Sequence, residues 1–330
     1  MSSKSLSNNS NIQTFKQRSL KAEFLKKYFE EKYKKATCTF SYKKDANKHI
    51  VKLFDNMYLV RKVNKTNNIT ETYEVYIQDN KNKHKLFLEF VNFDVNDYNV
   101  FTSIQNKNIH FPFFYDYKLC YYGALYNDDK INIKYLPQSV IKALNHYEKL
   151  LKEEDEYYKN PKNVEPLTNW MRHKIILMFS QATDGDLQDF LSKSNLSNEA
   201  MLNCLAQILL ASIFYNIETD NTHKSSISSN YLFEKIKKEG YFHYKLYNKD
   251  FYLKNMGFLF TINNLTIHSD NTINKNFTDV INDFFSSFNI PFIDELKKTF
   301  SNQNKELLFK KIISILEKYN ILLTNLIVNE

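Results

Sequence analysis

Glycine is nearly missing: the 330 residues contain four, and none precedes Gly123. A loop that wraps its backbone around phosphate needs glycine at the points of close approach, so the first 122 residues can supply no glycine-rich nucleotide cover. No GxxxxGK[ST] loop, GxSxG elbow or HExxH helix occurs anywhere, which removes P-loop, hydrolase and zinc-protease chemistries. Cysteine is equally scarce. Cys38, Cys120 and Cys204 are far apart, odd in number and without CxxC or Cys/His spacing, so the sequence predicts neither a disulfide framework nor a zinc site and points to a reducing compartment. No charged-then-apolar leader opens the chain, and the best apolar run, CLAQILLASIF, is too short for a bilayer span and carries Gln207. The expectation is a soluble intracellular protein with no membrane partner.

What is present is apolar and aromatic: 43% hydrophobic residues, with 23 Tyr and 27 Phe, are ample for a buried core. Heavy use of Asn, Lys, Ile, Tyr and Phe is what an AT-rich genome produces without functional demand. The net charge of +8 is local. Residues 1 to 50 hold twelve Lys/Arg against four acids, and the remainder is balanced. Such a segment suits nucleic acid or an acidic surface, and it reads equally as a basic solvated helix.

Residues 1–13 are polar and read as a disordered tail. Residues 14–36 place Leu20, Phe24 and Tyr28 at steps of four, with Leu25 and Phe29 alongside, which predicts a basic amphipathic helix. Between 37 and 123, TCTFSYKK, HIVKLF, MYLVRKV, ETYEVYIQ and HKLFLEFVN are strand-like stretches separated by Asn/Asp/Lys turns, and FPFFYDYKLCYYGALY resumes the pattern after a short helix candidate in DVNDYNVFTSIQ. Pro137 opens a charged helix within a helical insertion at about 124–170. KIILMFSQ (174–181) is an apolar strand, Asp184-Gly185 a turn, Asp186 the start of a short helix, and residues 198–218 a helix apolar on nearly every face. A hairpin about Asn248-Lys249-Asp250 and a further strand follow, and from about Thr278 the text is helical, ending in the amphipathic run KELLFKKIISILEKYNILLTNLIV. The whole is α+β, with a β-rich part to residue 181 and a mostly helical part over 182–330.

That order of elements resembles a protein kinase, and more narrowly the divergent serine/threonine kinase-like proteins of giant DNA viruses of mimivirus type. The resemblance is carried by HFPFFYDY (110–117), FSQATDGDLQDFL (179–191), SSNYLFEKIKKEGYFHYKLYNKDFYLKNMGFLFTINNL (228–265) and the spacing between them, and it covers roughly residues 85–290. It implies a bilobal fold with a β-rich N-lobe, a mostly helical C-lobe, and a hinge at Phe179, Ser180, Gln181 and Ala182 beside the nucleotide.

The kinase catalytic loop reads His-Arg-Asp, then Asn five residues past the Asp. The matching text is His223, Lys224 and Ser225, with Asn230 five beyond. The frame is kept and the base is lost, because a Ser hydroxyl has no basic form near pH 7. Removing a general base of this kind forfeits about 10²- to 10⁴-fold in rate. The Asp of Asp-Phe-Gly, which holds Mg²⁺ on the phosphates, corresponds to Asn264, followed by Leu265 and Thr266. A carboxamide brings no charge to a hard cation. At the phosphate-lysine position stands Glu89, with Lys85 four residues earlier on the same strand face, and the helix Glu that pairs with that lysine falls at Asn99 or Asp97.

The resemblance therefore implies a pseudokinase that acts by binding a host or viral protein, in the cytoplasm of the infected cell or in the virion, with no cofactor expected. The alternative is an atypical active serine/threonine kinase using ATP and Mg²⁺, with Asp220 or Asp270 standing in for the missing acids. A second alternative is nucleic-acid binding through the basic N-terminal helix. Three features have simpler readings. His223 is a packed loop histidine, Asp184-Gly185-Asp186 is a turn and helix N-cap rather than a metal pair, and the aromatic hairpin over 241–253 is a sheet with one buried face rather than a base-stacking platform.

Overall fold

The computed structural model describes residues 10–36, 38, 40–45, 48–54, 57–62, 71–79, 82–91, 102–121, 174–192, 196–220, 230–262, 273–301 and 304–324, with scattered positions between 138 and 160. The architecture is α+β, with antiparallel sheets and helices. The chain forms two compact units: Lys21–Asn99 with Phe113–Ala182, here the sheet unit, and Met1–Leu20, Val100–Pro112 and Thr183–Glu330, here the helical unit.

The sheet unit is organised by seven strands: β1 (Phe40–Asp45), β2 (Lys48–Leu53), β3 (Met57–Lys62), β4 (Glu71–Asp79), β5 (Asn82–Val91), β6 (Phe114–Tyr121) and β7 (Lys174–Gln181). Every pairing is antiparallel, in the order β1-β2-β3-β4-β5-β7-β6. Alternation puts Val75 and Ile77 of β4 opposite Leu86 and His84 of β5, and Leu88 opposite Phe179 of β7, on one face. Helix α1 (Ser10–Lys32) lies on that face through its second half, with Phe29 against Phe179 at 4.6 Å and Phe24 against His84 at 4.8 Å. Tyr33, just past the helix, stacks on Phe54.

Two expectations about this helix change. It begins at Ser10, inside the stretch expected to be disordered. Leu25, Tyr28 and Phe29 are buried as expected, together with Arg18, Ala22 and Tyr33, whereas Leu20 and Phe24 are 57% and 40% exposed. Full burial of Leu25 and Phe29 stabilises the docked helix by about 1.5–3 kcal/mol each.

The cysteine reading is also corrected: Cys38 and Cys120 form a disulfide across 82 residues of chain. The chain leaving α1 passes beside β6, where Lys118 reaches the Tyr33 and Lys34 carbonyls, and that contact rather than sequence spacing accompanies the bond; the cysteine pattern no longer argues for a reducing compartment. Cys204 is buried and free.

The core of the helical unit is α3 (Asn198–Thr219), sixteen of whose 22 residues are buried. It is long and apolar enough to cross a bilayer, but 89% of its most apolar stretch is buried. Ahead of it, β8 (Gly185–Asp186) leads into α2 (Leu187–Leu191). Asp186 caps α2 in a reciprocal capping box with Asp189, which establishes the N-cap reading of that acid. Strands β9 (Tyr231–Lys235) and β12 (Phe258–Ile262) join β8 in one sheet.

A second small sheet holds β10 (Tyr241–Leu246), β11 (Lys249–Lys254) and β13 (Leu322–Leu323). The hairpin turns at Tyr247-Asn248, both at positive φ as a two-residue turn requires, one residue earlier than the sequence predicts. Phe242, Tyr244, Leu246, Phe251 and Leu253 fill its buried face, so the aromatic run is a half-buried sheet. Helices α4 (Ile273–Val280), α5 (Ile293–Thr299) and α6 (Lys305–Lys318) complete the unit. Residues 321–324 do not continue the helix: α6 ends before Asn320, at φ 56°, and Leu322 pairs with Leu253, while the rest of the apolar run lies outside the described residues.

Candidate functional site

In the sheet unit, Glu89 lies in the middle of β5, opposite Thr72 of β4 and Met178 of β7, and is half-buried. Lys85 shares its face and forms an ion pair with Glu74 of β4 at 3.5 Å, where Glu74 is almost fully enclosed. This cation is therefore neutralised by a carboxylate from the neighbouring strand. Asn99 and Asp97 lie outside the described residues.

Phe179, Ser180 and Gln181 end strand β7, and with Ala182 all four are buried. The Gln181 N–H donates to the Phe113 carbonyl at 2.8 Å, and its side-chain oxygen accepts from the Phe113 N–H at 3.3 Å. Both polar ends of Gln181 are committed to that neighbour. Ala182 is the last residue of the sheet unit and Thr183 the first of the next helical segment.

In the helical unit, Asp184 is a bracket. Its N–H donates to the Phe233 carbonyl and its carboxylate accepts from the Lys235 N–H at 2.7 Å, which locks the turn onto β9. Asp220 is the C-cap of α3 in the left-handed conformation, with its side chain 96% exposed and Lys305 at 3.5 Å. An acid so placed is solvated and cation-paired. His223, Lys224, Ser225, Asn264 and Asp270 lie outside the described residues.

Asn230 is buried, at 2% exposure, immediately before β9. Strand β9 runs antiparallel to β12 with Tyr231 opposite Ile262, the last residue of β12. The chain therefore leaves Asn230 and enters the segment containing Asn264 at the same end of one strand pair. The pair is fastened to α3 by Gln207, which accepts from the Phe260 N–H at 2.8 Å and donates to the Phe258 carbonyl at 3.2 Å and to Asn203. Among the described residues, no cluster of three His, Cys, Asp or Glu side chains is placed to hold a metal ion.

The histidine of HFPFFYDY has no role in the kinase-like motifs. His110 is fully buried, with Nδ1 2.7 Å from the Phe260 carbonyl and Nε2 3.0 Å from the Tyr244 hydroxyl. A carbonyl can only accept, so Nδ1 carries the proton and Nε2 accepts from Tyr244. Burial, with Arg18 nearby, lowers the imidazole to about 4. Arg18 itself donates to the carbonyls of Ile109 and Phe111 at 2.7 and 2.9 Å. A lone histidine in an aromatic run was the only signal, and its partners lie 134 and 150 residues away.

No protein-family model matches this chain. A search of curated proteins likewise finds no match.

Proposed function

We propose that this chain is a protein kinase-like protein without phosphoryl-transfer activity, a pseudokinase that acts by binding another protein, host or viral. The observation that carries the reading is the β9–β12 register. Kinases hold Mg²⁺ with the catalytic-loop Asn and the Asp of Asp-Phe-Gly. Asn230 directly precedes Tyr231, and Asn264 follows two residues after Ile262, which is opposite Tyr231. Two positions 34 residues apart in sequence thus belong to chain segments that meet the sheet at one end, as a shared metal site requires.

The side chains at these positions argue against catalysis. Neither Asn carries charge, and a hard cation bound to nucleotide phosphates favours carboxylate. Ser225 stands at the base position, Glu89 presents the wrong sign of charge at the lysine position, and residues 1–122 have no glycine for a phosphate cover. A single loss is open to rescue by a neighbour, but these four fall on different steps of the same reaction.

The test is calorimetric titration of the full-length protein with ATP, with and without Mg²⁺, alongside a phosphotransfer assay on a general protein substrate. Binding that is absent, or indifferent to Mg²⁺, with no transfer, is expected. Micromolar Mg²⁺-dependent binding with transfer abolished by Asp220→Asn or Asp270→Asn would replace this reading with the atypical active kinase.

A further inference from the structure

Strand β6 is the last in the sheet order, paired on one side by β7. Its residues Asp116, Lys118 and Cys120 alternate onto one face, and each engages a successive point on α1 and the chain leaving it. Asp116, whose carboxyl burial pushes up, lies within electrostatic reach of Lys26 and Glu30. Lys118 donates its ammonium to the carbonyls of Tyr33 and Lys34, in the turn just past the end of the helix. Cys120 is bonded to Cys38. The seam thus runs from a charge contact through a hold on that turn to a covalent bond.

We propose that the Cys38–Cys120 bond is a redox-controlled clamp that sets how firmly the end of α1 is held on the sheet. The two cysteines are 4% and 1% exposed, so a reductant reaches them only after the seam opens locally. A thiolate of a dithiol reductant of thioredoxin type then attacks one cysteine sulfur. This forms a mixed disulfide, and the other cysteine leaves as thiolate and takes up a proton. The second reductant thiol closes onto the first, releasing the remaining cysteine as a thiol, so the reductant is oxidised by two electrons and the protein reduced by two. What then holds the junction is Lys118 and the aromatic contacts of Phe29 and Tyr33. No third cysteine diverts the exchange within the sheet unit, because Cys204 is buried in α3 of the other unit.

The experiment is thiol alkylation in denaturant with intact mass, followed by amide hydrogen exchange of the folded full-length protein before and after dithiothreitol. One alkylated cysteine is expected without reductant and three with it. Reduction is expected to speed exchange of the Tyr33–Ala36 amides at least tenfold while leaving the centre of α3 unchanged. Cys38→Ser/Cys120→Ser is expected to reproduce the reduced pattern and to ignore dithiothreitol. Three alkylated cysteines without reductant, or unchanged exchange at 33–36 after complete reduction, would overturn the clamp. If the double variant does not fold, the reduction series on the native sequence still decides.

Discussion

Acidification should destabilise the helical unit through His110, and the size of the effect follows from its environment. In the unfolded chain an imidazole takes up its proton as pH falls through about 6.5. In the folded protein it resists until about 4, because burial penalises the cation and the Arg18 charge repels it, against the opposing hydrogen bond to Phe260. Between those values the unfolded chain binds more protons, so stability falls with falling pH. The penalty is absent above pH 7 and complete near pH 4, where a shift of about 2.5 units corresponds to about 3 kcal/mol. That is a large fraction of a typical domain's stability. Titrating carboxylates act in the same range, so the informative quantity is a difference. His110→Gln keeps an N–H for Phe260 and an oxygen for Tyr244 but does not titrate. Urea midpoints of both proteins from pH 7.5 to 4.5 should diverge, with the native sequence losing stability more steeply. Parallel curves, or a His110 ring resonance that titrates near 6.5 by NMR, would refute the reasoning.

Two further substitutions probe the frame around the candidate site. Gly185→Ala would place a methyl 2.8 Å from the Phe233 ring and 3.0 Å from Asp189, and the enclosed Phe233 has nowhere to retreat; a loss of about 1–3 kcal/mol in urea denaturation is expected, and an unchanged midpoint would show that the α2 capping turn yields freely. Gln207→Leu would strand the Phe260 N–H and the Phe258 carbonyl. At about 1–3 kcal/mol for each unmet buried group, the β9–β12 pair should loosen, visible as faster Phe260 amide exchange, and retained protection would mean that the strands hold without α3.

The strands of the sheet unit were legible because alternation survives any packing partner: β4 and β5 show their faces in ETYEVYIQ and HKLFLEF before any fold is known. Helix α3 was legible because a segment apolar all round has to be enclosed. Of the predicted α1 stripe, Leu25, Tyr28 and Phe29 are buried while Leu20 and Phe24 are exposed, for a geometric reason. Stepping by four advances about 400°, so Leu20, Phe24 and Tyr28 drift around the helix by about 40° per step. The mixed 4-3-4-4 steps of Arg18, Ala22, Leu25, Phe29 and Tyr33 hold one face. The stretch 321–324 fails as helix because a short apolar stretch fits either period, and Asn320 decides it by turning to positive φ. The disulfide and the His110 triad leave no local trace at all, since each joins residues 82 to 150 apart.

The pairing that sets Tyr231, directly after Asn230, opposite Ile262 at the end of β12 is likewise a tertiary property. The stretch between them contains the β10–β11 hairpin, which the fold diverts into a separate sheet so that β9 and β12 still pair. Without that diversion the 34-residue separation of Asn230 and Asn264 would carry no information about a common site. With it, the charge at the two positions can be considered together. A kinase supplies one carboxylate and one carboxamide there; this sequence supplies two carboxamides. On the pseudokinase reading proposed above, a Mg²⁺ ion held at these positions would meet neutral oxygens only. On that reading, nucleotide binding is expected to be indifferent to Mg²⁺, and a Mg²⁺-dependent affinity in the titration would overturn it.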